Sequence, residues 1–328
     1  MKKVTGASKR DEVIGWIKEI LAKAGFYLVE CTSLRSMTFD IIARRDRDLL
    51  LIKILRNVDG FSRENAVEMK RVASALDGKP IIIGLHSGGG VLEDGIVYSR
   101  FGIPIITPET IRDEFLDGVP PFIIAEPGGL YVRIDGEMLR TIREEMAISL
   151  GALSEIAGVS RRAIQMYEGG MKAMIDVAQR LEEFFNRPFV LPLEDWRTNG
   201  PEQNDEWTND FDEFTGFDGT VYRMLSEIGY SVLPTRHSVF DALTKDRKSL
   251  YIAWLGEEIG EFKNKFEILD NIIRITERNA LIFVERKTDR DAVKGIPVVD
   301  RDNLLKLQFP EELAAYAQER RPPREDVH

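Results

Sequence analysis

Ser160 is followed by Arg161, Arg162, Gln165 and Met166, and Lys172 comes soon after, so two guanidinium groups, an amide, a thioether and an ammonium fall in one short stretch. Serine ahead of a helix accepts from a free backbone N–H of the first turn, and Ser149 and Ser160 both stand where such caps belong. The spacing predicts two short helices joined at Gly158-Val159, where the glycine supplies backbone freedom and the valine pins the turn. Leu153, Ile156 and Ala157 then share the inner face of the first helix, and Ile164 and Tyr167 that of the second. Arg161, Arg162, Gln165 and Met166 are left facing outward. An arginine fork at such a position matches the edge of guanine, whereas an amide such as that of Gln165 matches adenine. Lys172, beyond Gly169-Gly170, is placed for a phosphate. This is chemistry suited to double-stranded DNA.

The segment from Glu137 to Phe189 resembles the XRE family of helix-turn-helix domains, of the Cro and phage-repressor type. Leu139 to Met146 would be its first helix, Ser160 to Tyr167 its recognition helix and Ile175 to Phe185 its fourth, and Tyr167-Glu168-Gly169 matches the step that closes the recognition helix. Two positions depart from the pattern. Leu150 stands where many relatives have a Gln that touches the DNA backbone, and Ser154 replaces an inner-face Ala. Charges between Glu137 and Arg187 nearly cancel, so any DNA contact rests on local placement, above all on Arg161 and Arg162 at the start of the recognition helix.

Around this segment the chain repeats itself. Phe39-Asp40 to Leu55 and Phe240-Asp241 to Leu255 share order and character, each preceded by an amphipathic helix and followed by a second helix, a buried strand, a Gly-Ile-Pro strand and a last helix. The order resembles the restriction-endonuclease-like fold of the PD-(D/E)xK superfamily. Active members hold a divalent ion with a strand Asp and an acid-x-Lys on the next strand. That resemblance places Asp40 at the Asp, Lys53 at the Lys and Leu51 at the acid position, while in the second copy Asp241 remains and Tyr251 and Ala253 replace acid and lysine. One carboxylate is a poor Mg²⁺ clamp, so neither a metal nor another cofactor is expected. Asp40 reads as a strand residue bonded to a neighbouring turn. Both units read as structural: packing, dimerisation or contact with nucleic-acid backbone.

The expected fold class is α/β plus all-α: two degenerate restriction-endonuclease-like units, 1–118 and 218–310, flanking a helical XRE-type domain at 136–196. A hairpin connector is expected at 119–135, an acidic linker at 197–217 and a disordered tail at 311–328. Trp207, Phe211, Phe214 and Phe217 interrupt the linker's polarity and are expected to dock on a neighbouring domain. Gly88-Gly89-Gly90 lacks a following Lys-Ser or Lys-Thr and reads as a mobile loop.

The chain has 328 residues, 43% hydrophobic and 30% charged, enough for two or three cores, and its net charge of −10 argues against a nucleic-acid coat or a membrane-surface protein. One cysteine, Cys31, and three scattered histidines exclude a disulfide framework and a spaced zinc site. No signal-like or membrane-spanning run is visible, and a cytoplasmic location is expected. The whole arrangement resembles archaeal helix-turn-helix transcriptional regulators, which implies a sequence-specific, homodimeric binder of promoter operators. A metal-dependent nuclease and an interaction scaffold remain the other readings.

Overall fold

The computed structural model describes residues 10–32, 38–194, 196–197, 207, 210–263 and 265–319. The first repeat runs α1 (Arg10–Lys23), β1 (Tyr27–Glu30), β2 (Ile41–Arg45), β3 (Asp48–Asn57), a 3-10 turn at Val58–Gly60, α2 (Arg63–Ala75), β4 (Lys79–Ser87), β5 (Gly90–Val91), β6 (Ile96–Arg100), β7 (Ile103–Ile106) and α3 (Pro108–Leu116). A hairpin follows, β8 (Ile123–Glu126) and β9 (Gly129–Ile134). The helical segment comprises α4 (Gly136–Glu145), α5 (Leu150–Ala157), α6 (Arg161–Glu168), β10 (Ala173–Met174), α7 (Ile175–Phe185) and β11 (Val190–Leu191). The second repeat runs α8 (Gly216–Glu227), β12 (Ser231–Pro234), β13 (Ala242–Lys245), β14 (Leu250–Gly256), a 3-10 turn at Ile259–Phe262, α9 (Phe266–Thr276), β15 (Asn279–Val284), β16 (Ala292–Val293), β17 (Ile296–Asp300), α10 (Arg301–Leu304) and α11 (Pro310–Glu319).

The chain divides into two compact units: Met1–Gly25, Ile54–Ser62 and Pro80–Gly200 in one, Phe26–Lys53, Arg63–Lys79 and Pro201–His328 in the other. In the first, strands follow the order β4-β7-β6-β8-β9-β10, with β5 on β4 and β11 on β9. The hairpin β8–β9 therefore continues a sheet through β6, and β9 carries the helical segment by pairing with β10 and β11. The loop at Gly88 is held, because the Gly88 N–H donates to the Asp59 carboxylate.

In the second unit β1, β2 and β3 form an antiparallel meander. A separate sheet, β12-β13-β14-β15-β17-β16, is antiparallel as far as β14 and parallel across β14, β15 and β17. Strands buried on both faces read as unbroken apolar runs, which is why Leu49 to Ile52 and Ala280 to Val284 show little alternation. Cys31, at the end of β1, is fully buried, and burial pushes its thiol pKa up.

Elements of the two repeats are tied reciprocally within this unit. α2 and α9 are each followed by a left-handed residue, Asp77 (φ 57°) and Glu277 (φ 55°). Arg44 of β2 donates to the Ile275 carbonyl (3.2 Å) and pairs with Glu277 (2.6 Å), while Arg278 pairs with Asp77 beside the end of α2. A guanidinium at a helix carbonyl end is favoured by the helix dipole. Glu68 of α2 adds a second tie, accepting from the Arg236 and His237 N–H groups (2.9 and 3.0 Å) and from the hydroxyls of Ser238 and Thr38 (2.7 and 3.1 Å).

The expected disordered tail at 311–328 is corrected over its first part. Residues 310–319 form α11, which buries Leu313 and Ala317 and is anchored by hydroxyl bonds from Tyr230 to the Pro310 carbonyl and from Tyr316 to the Val298 carbonyl. Residues 320–328 lie outside the described residues, as does most of the acidic linker. At the linker's end Phe211 and Phe214 pack on Tyr222 of α8, with ring centroids 5.9 and 5.1 Å apart.

Candidate nucleic-acid interface and the nuclease-like positions

Three side-chain caps set the helical segment. The Asp135 carboxylate accepts from Met138 N–H (2.9 Å), the Ser149 hydroxyl from Ala152 N–H (3.1 Å) and the Ser160 hydroxyl from Ala163 N–H (3.1 Å), starting α4, α5 and α6. Each serine oxygen is thus committed, and its hydroxyl hydrogen is still able to donate outward. α5 stops at Gly158, which adopts φ 69° and ψ 32°, the left-handed conformation a glycine reaches without strain. A side chain there would also meet the Arg180 guanidinium, with a Cβ only 2.7 Å from its nearest nitrogen.

Leu139, Ile142, Leu153, Ala157, Ile164, Tyr167, Leu181 and Phe185 form the core beneath these helices. Ser154 is buried, and its hydroxyl donates to the Gly151 carbonyl (2.7 Å), so an inner-face serine is satisfied within α5. Ile156, expected on the inner face, is only half-buried. Leu150 packs against the core instead of projecting outward.

Above this core Arg161, Arg162, Gln165 and Met166 are all exposed. Arg161 lies across Gly151, where a Cβ would stand 2.9 Å from its guanidinium. The other cations of the segment have carboxylate partners: Arg140 with Glu144, Arg143 with Glu168, Lys172 with Glu126, Arg180 with Asp176 and Arg187 with Glu145. Among the described residues no carboxylate pairs with Arg161 or Arg162. Lys172, expected at a phosphate, thus sits beside the β8–β9 turn with an acidic partner of its own.

Two features that the sequence reading did not single out fix α6. Arg143 of α4 grips Glu168 at its end through Nε (2.5 Å) and Nη2 (3.2 Å) and donates to the Ile148 carbonyl (3.2 Å). That bond to Glu168 raises the Arg143 pKa further. Gly136 opens α4 where a Cβ would lie 2.5 Å from the carbonyl oxygens of Tyr167 and Glu168, so only glycine permits this approach. Glu168 was legible as part of a family step, but its partner twenty-five residues earlier was not.

The nuclease-like positions are not brought together as a metal site. Asp40 is fully buried and its carboxylate lies 3.1 Å from Lys53 Nζ, itself 7% exposed. Asp40, expected from the sequence to bond a neighbouring turn, pairs its carboxylate with the lysine on the next strand. Leu51, at the acid position, is an apolar core residue. The second copy requires a correction of register. Asp40 N–H bonds to the Ile52 carbonyl and Asp241 N–H to the Ala253 carbonyl, which aligns Ile252 with Leu51 and Trp254 with Lys53, in place of Tyr251 and Ala253. Trp254 is buried and its indole N–H donates to the Val239 carbonyl (2.9 Å). Asp241 keeps one strong partner, the Leu255 N–H (2.7 Å), while burial, with a smaller push from Asp218, raises its carboxyl pKa to about 6.

Comparison with known proteins bears on both parts. Residues 10–121 match the family described as a PD-(D/E)XK superfamily domain, and residues 139–191 match helix-turn-helix. A protein of Haloquadratum walsbyi is 37% identical over 95% of this chain and 97% of its own length. One from Methanosarcina barkeri is 33% identical over 95% and 98%, and one from Methanocella arvoryzae 36% identical over 90% and 92%. Each carries the name "Putative HTH-type transcriptional regulatory protein". No solved structure matches the chain. Among the described residues no helix is long and apolar enough to cross a membrane.

The raised pKa of Asp241 has a consequence for stability. A carboxyl at about 6 in the folded chain, against an ordinary 3.8, favours folding below pH 4, and that contribution is lost as pH rises through 6. Asp241→Asn retains an acceptor for the Leu255 N–H and removes the charge. The variant should therefore unfold at higher urea than the parent at pH 7.5, by about 1–3 kcal/mol, with the gap closing near pH 4. A gap independent of pH would contradict this.

Proposed function

The chain belongs to the family of archaeal HTH-type transcriptional regulatory proteins, and from that premise we propose that it is a sequence-specific DNA-binding regulator of the XRE type in which α6 enters the major groove. The observation that carries this reading is the distribution of paired and unpaired cations. Arg161 and Arg162 leave the first turn of α6, the part that lies against base edges in this docking geometry, and they have no carboxylate partner among the described residues. Gln165, one turn on, presents an amide suited to adenine, and Met166 an apolar surface suited to a thymine methyl. Ser149 and Ser160 lie at helix starts, where a hydroxyl hydrogen and free N–H groups suit phosphate.

The nuclease-like copies serve as scaffold, and the protein is not an enzyme. Leu51 contributes no ligand, Asp40 is neutralised by Lys53, and in the second copy Trp254 fills the lysine position. A Mg²⁺ ion with its attacking water needs more than one carboxylate to orient it. The protein acts as a homodimer, because one helix-turn-helix reads only a few base pairs and gains specificity from a two-fold partner one turn of DNA away. The faces of α2 and α9 that tie the two copies are used within one chain, so the contact between chains uses other surfaces.

On an operator selected from genomic DNA, Arg162→Ala or Gln165→Ala should cost about 1–3 kcal/mol and flatten the preference at particular base pairs. Lys172→Ala should weaken all sequences alike and reduce the salt slope by about one or less, since Glu126 already shares its charge. Unchanged affinity when Arg161, Arg162 and Gln165 are all replaced by Ala would favour the scaffold reading. Plasmid incubated with Mg²⁺ or Mn²⁺ should stay intact; cleavage abolished by Asp40→Ala would establish the nuclease instead. Light scattering at micromolar concentration should give twice 37.3 kDa, and a monomer mass with and without DNA would remove the dimer.

A further inference from the structure

The two copies treat one position of the fold differently. In the first, the 3-10 turn after β3 presents Asp59, whose carboxylate accepts the Gly88 N–H at the end of β4 and pairs with Arg100 (3.1 Å). The same offset that aligns Ile52 with Ala253 places Ile259 at Val58, Phe262 at the buried Phe61 and Gly260 at Asp59. The second copy therefore has no side chain where the first has an anion.

At Gly260 the second copy opens into a cleft of about 530 Å³ that also presents Lys263, Arg286, Lys287 and Arg290. Glu258 is the one acidic residue lining it, and Arg286 pairs with Glu258 (3.0 Å) and the neighbouring Glu257 (3.5 Å). Lys263, Lys287 and Arg290 have no carboxylate partner among the described residues. A chain of net charge −10 thus gathers uncompensated positive charge around one concavity. Surface lysines scattered over a convex face would carry no such implication; here they converge on a volume in the range of small-ligand sites.

The location agrees with that reading. β14 and β15 are parallel neighbours that end at Gly256 and Val284, and the crossover helix α9 begins at Phe266 on the same edge. Open α/β sheets bind ligands at the carboxyl ends of parallel strands, where the N–H groups of a crossover helix face the same crevice. Lys265, ahead of α9, makes no side-chain cap, so no side chain of that position competes for the first-turn N–H groups. Phe266 and Ile259 add an apolar wall.

We propose that this cleft binds a small ligand carrying two or more phosphate groups, which supplies to the second copy the negative charge that Asp59 supplies to the first. The residues lining it all belong to the second copy and include none of α6.

Isothermal titration of the full chain with pyrophosphate, ADP and ATP tests this. At least one probe should bind the parent protein, and Lys287→Ala/Arg290→Ala should weaken it tenfold or more. Gly260→Asp installs the first copy's carboxylate; a Cβ there meets nothing nearer than Glu258 Oε1 at 3.4 Å, so the side chain has room. It should abolish binding with an unchanged thermal midpoint. Absence of binding to all three probes at millimolar concentration would overturn the proposal, as would equal affinity in parent and variants. A loss in the variants confined to duplex DNA affinity would overturn it as well, assigning the cleft to the nucleic-acid backbone.

Discussion

An eight-residue helix does not hold its shape alone in water, because so few propagated hydrogen bonds cannot offset nucleation. α6 is such a helix, and whatever it presents depends on the bond between Arg143 and Glu168. The pair is largely shielded, with side chains 12% and 10% exposed, so it is screened far less than the exposed pairs of the same segment. It joins α4 to the last residue of α6, while the Ser160 cap holds the first turn and Ile164 and Tyr167 anchor the middle. Gly136 completes the constraint by letting α4 touch the end of α6 backbone to backbone. The outward side chains can therefore stay mobile without the helix moving, which suits a surface that must meet a groove with fixed geometry.

The two α/β units meet the same electrostatic problem at corresponding positions. An aspartate inside a sheet must be compensated or neutral. In the first copy Lys53 compensates Asp40. In the second, Trp254 takes the lysine's place, and Asp241 accepts from the Leu255 N–H and shifts toward its neutral form. The two solutions follow from a single exchange of lysine for tryptophan on neighbouring copies of β3. The exchange that puts an indole into the core of the second copy is the one that leaves Asp241 without a lysine at the position of Lys53.

Much of this was legible in the sequence because it is local. Ser149, Ser160 and Gly158 act within a few residues of themselves, and the fourth helix falls at Ile175–Phe185 as its apolar spacing indicates. What failed was information carried across strands or between distant elements. Leu250 to Leu255 is apolar on both faces, so nothing in its pattern distinguishes Tyr251 and Ala253 from Ile252 and Trp254, and only the ladder between Asp241 and Ala253 sets the register. The pairs of Lys172 with Glu126 and Arg143 with Glu168 were hidden for the same reason, since charge counts give totals and not partners. α11 was missed because its charged, proline-bounded sequence resembles a tail, whereas Leu313 and Ala317 lie on one face and reach the core of the second copy.

The acidic balance of the chain fits, and does not oppose, a focused DNA contact. At physiological ionic strength charges farther apart than about 8 Å are largely screened, so under the proposed reading the bulk of a body with net charge −10 would act weakly on a duplex docked at α6. In that docking Arg161 and Arg162 would act within that distance. Non-specific affinity, by contrast, grows with the number of phosphates a broad basic surface can neutralise, and here most cations of the segment are already paired internally. Withholding those cations lowers binding to arbitrary sequence more than binding that depends on base-edge contacts. What matters among many competing sites is the ratio of the two affinities, and under the proposed reading an acidic chain with two arginines that have no carboxylate partner among the described residues at a capped helix start would raise that ratio without adding a contact.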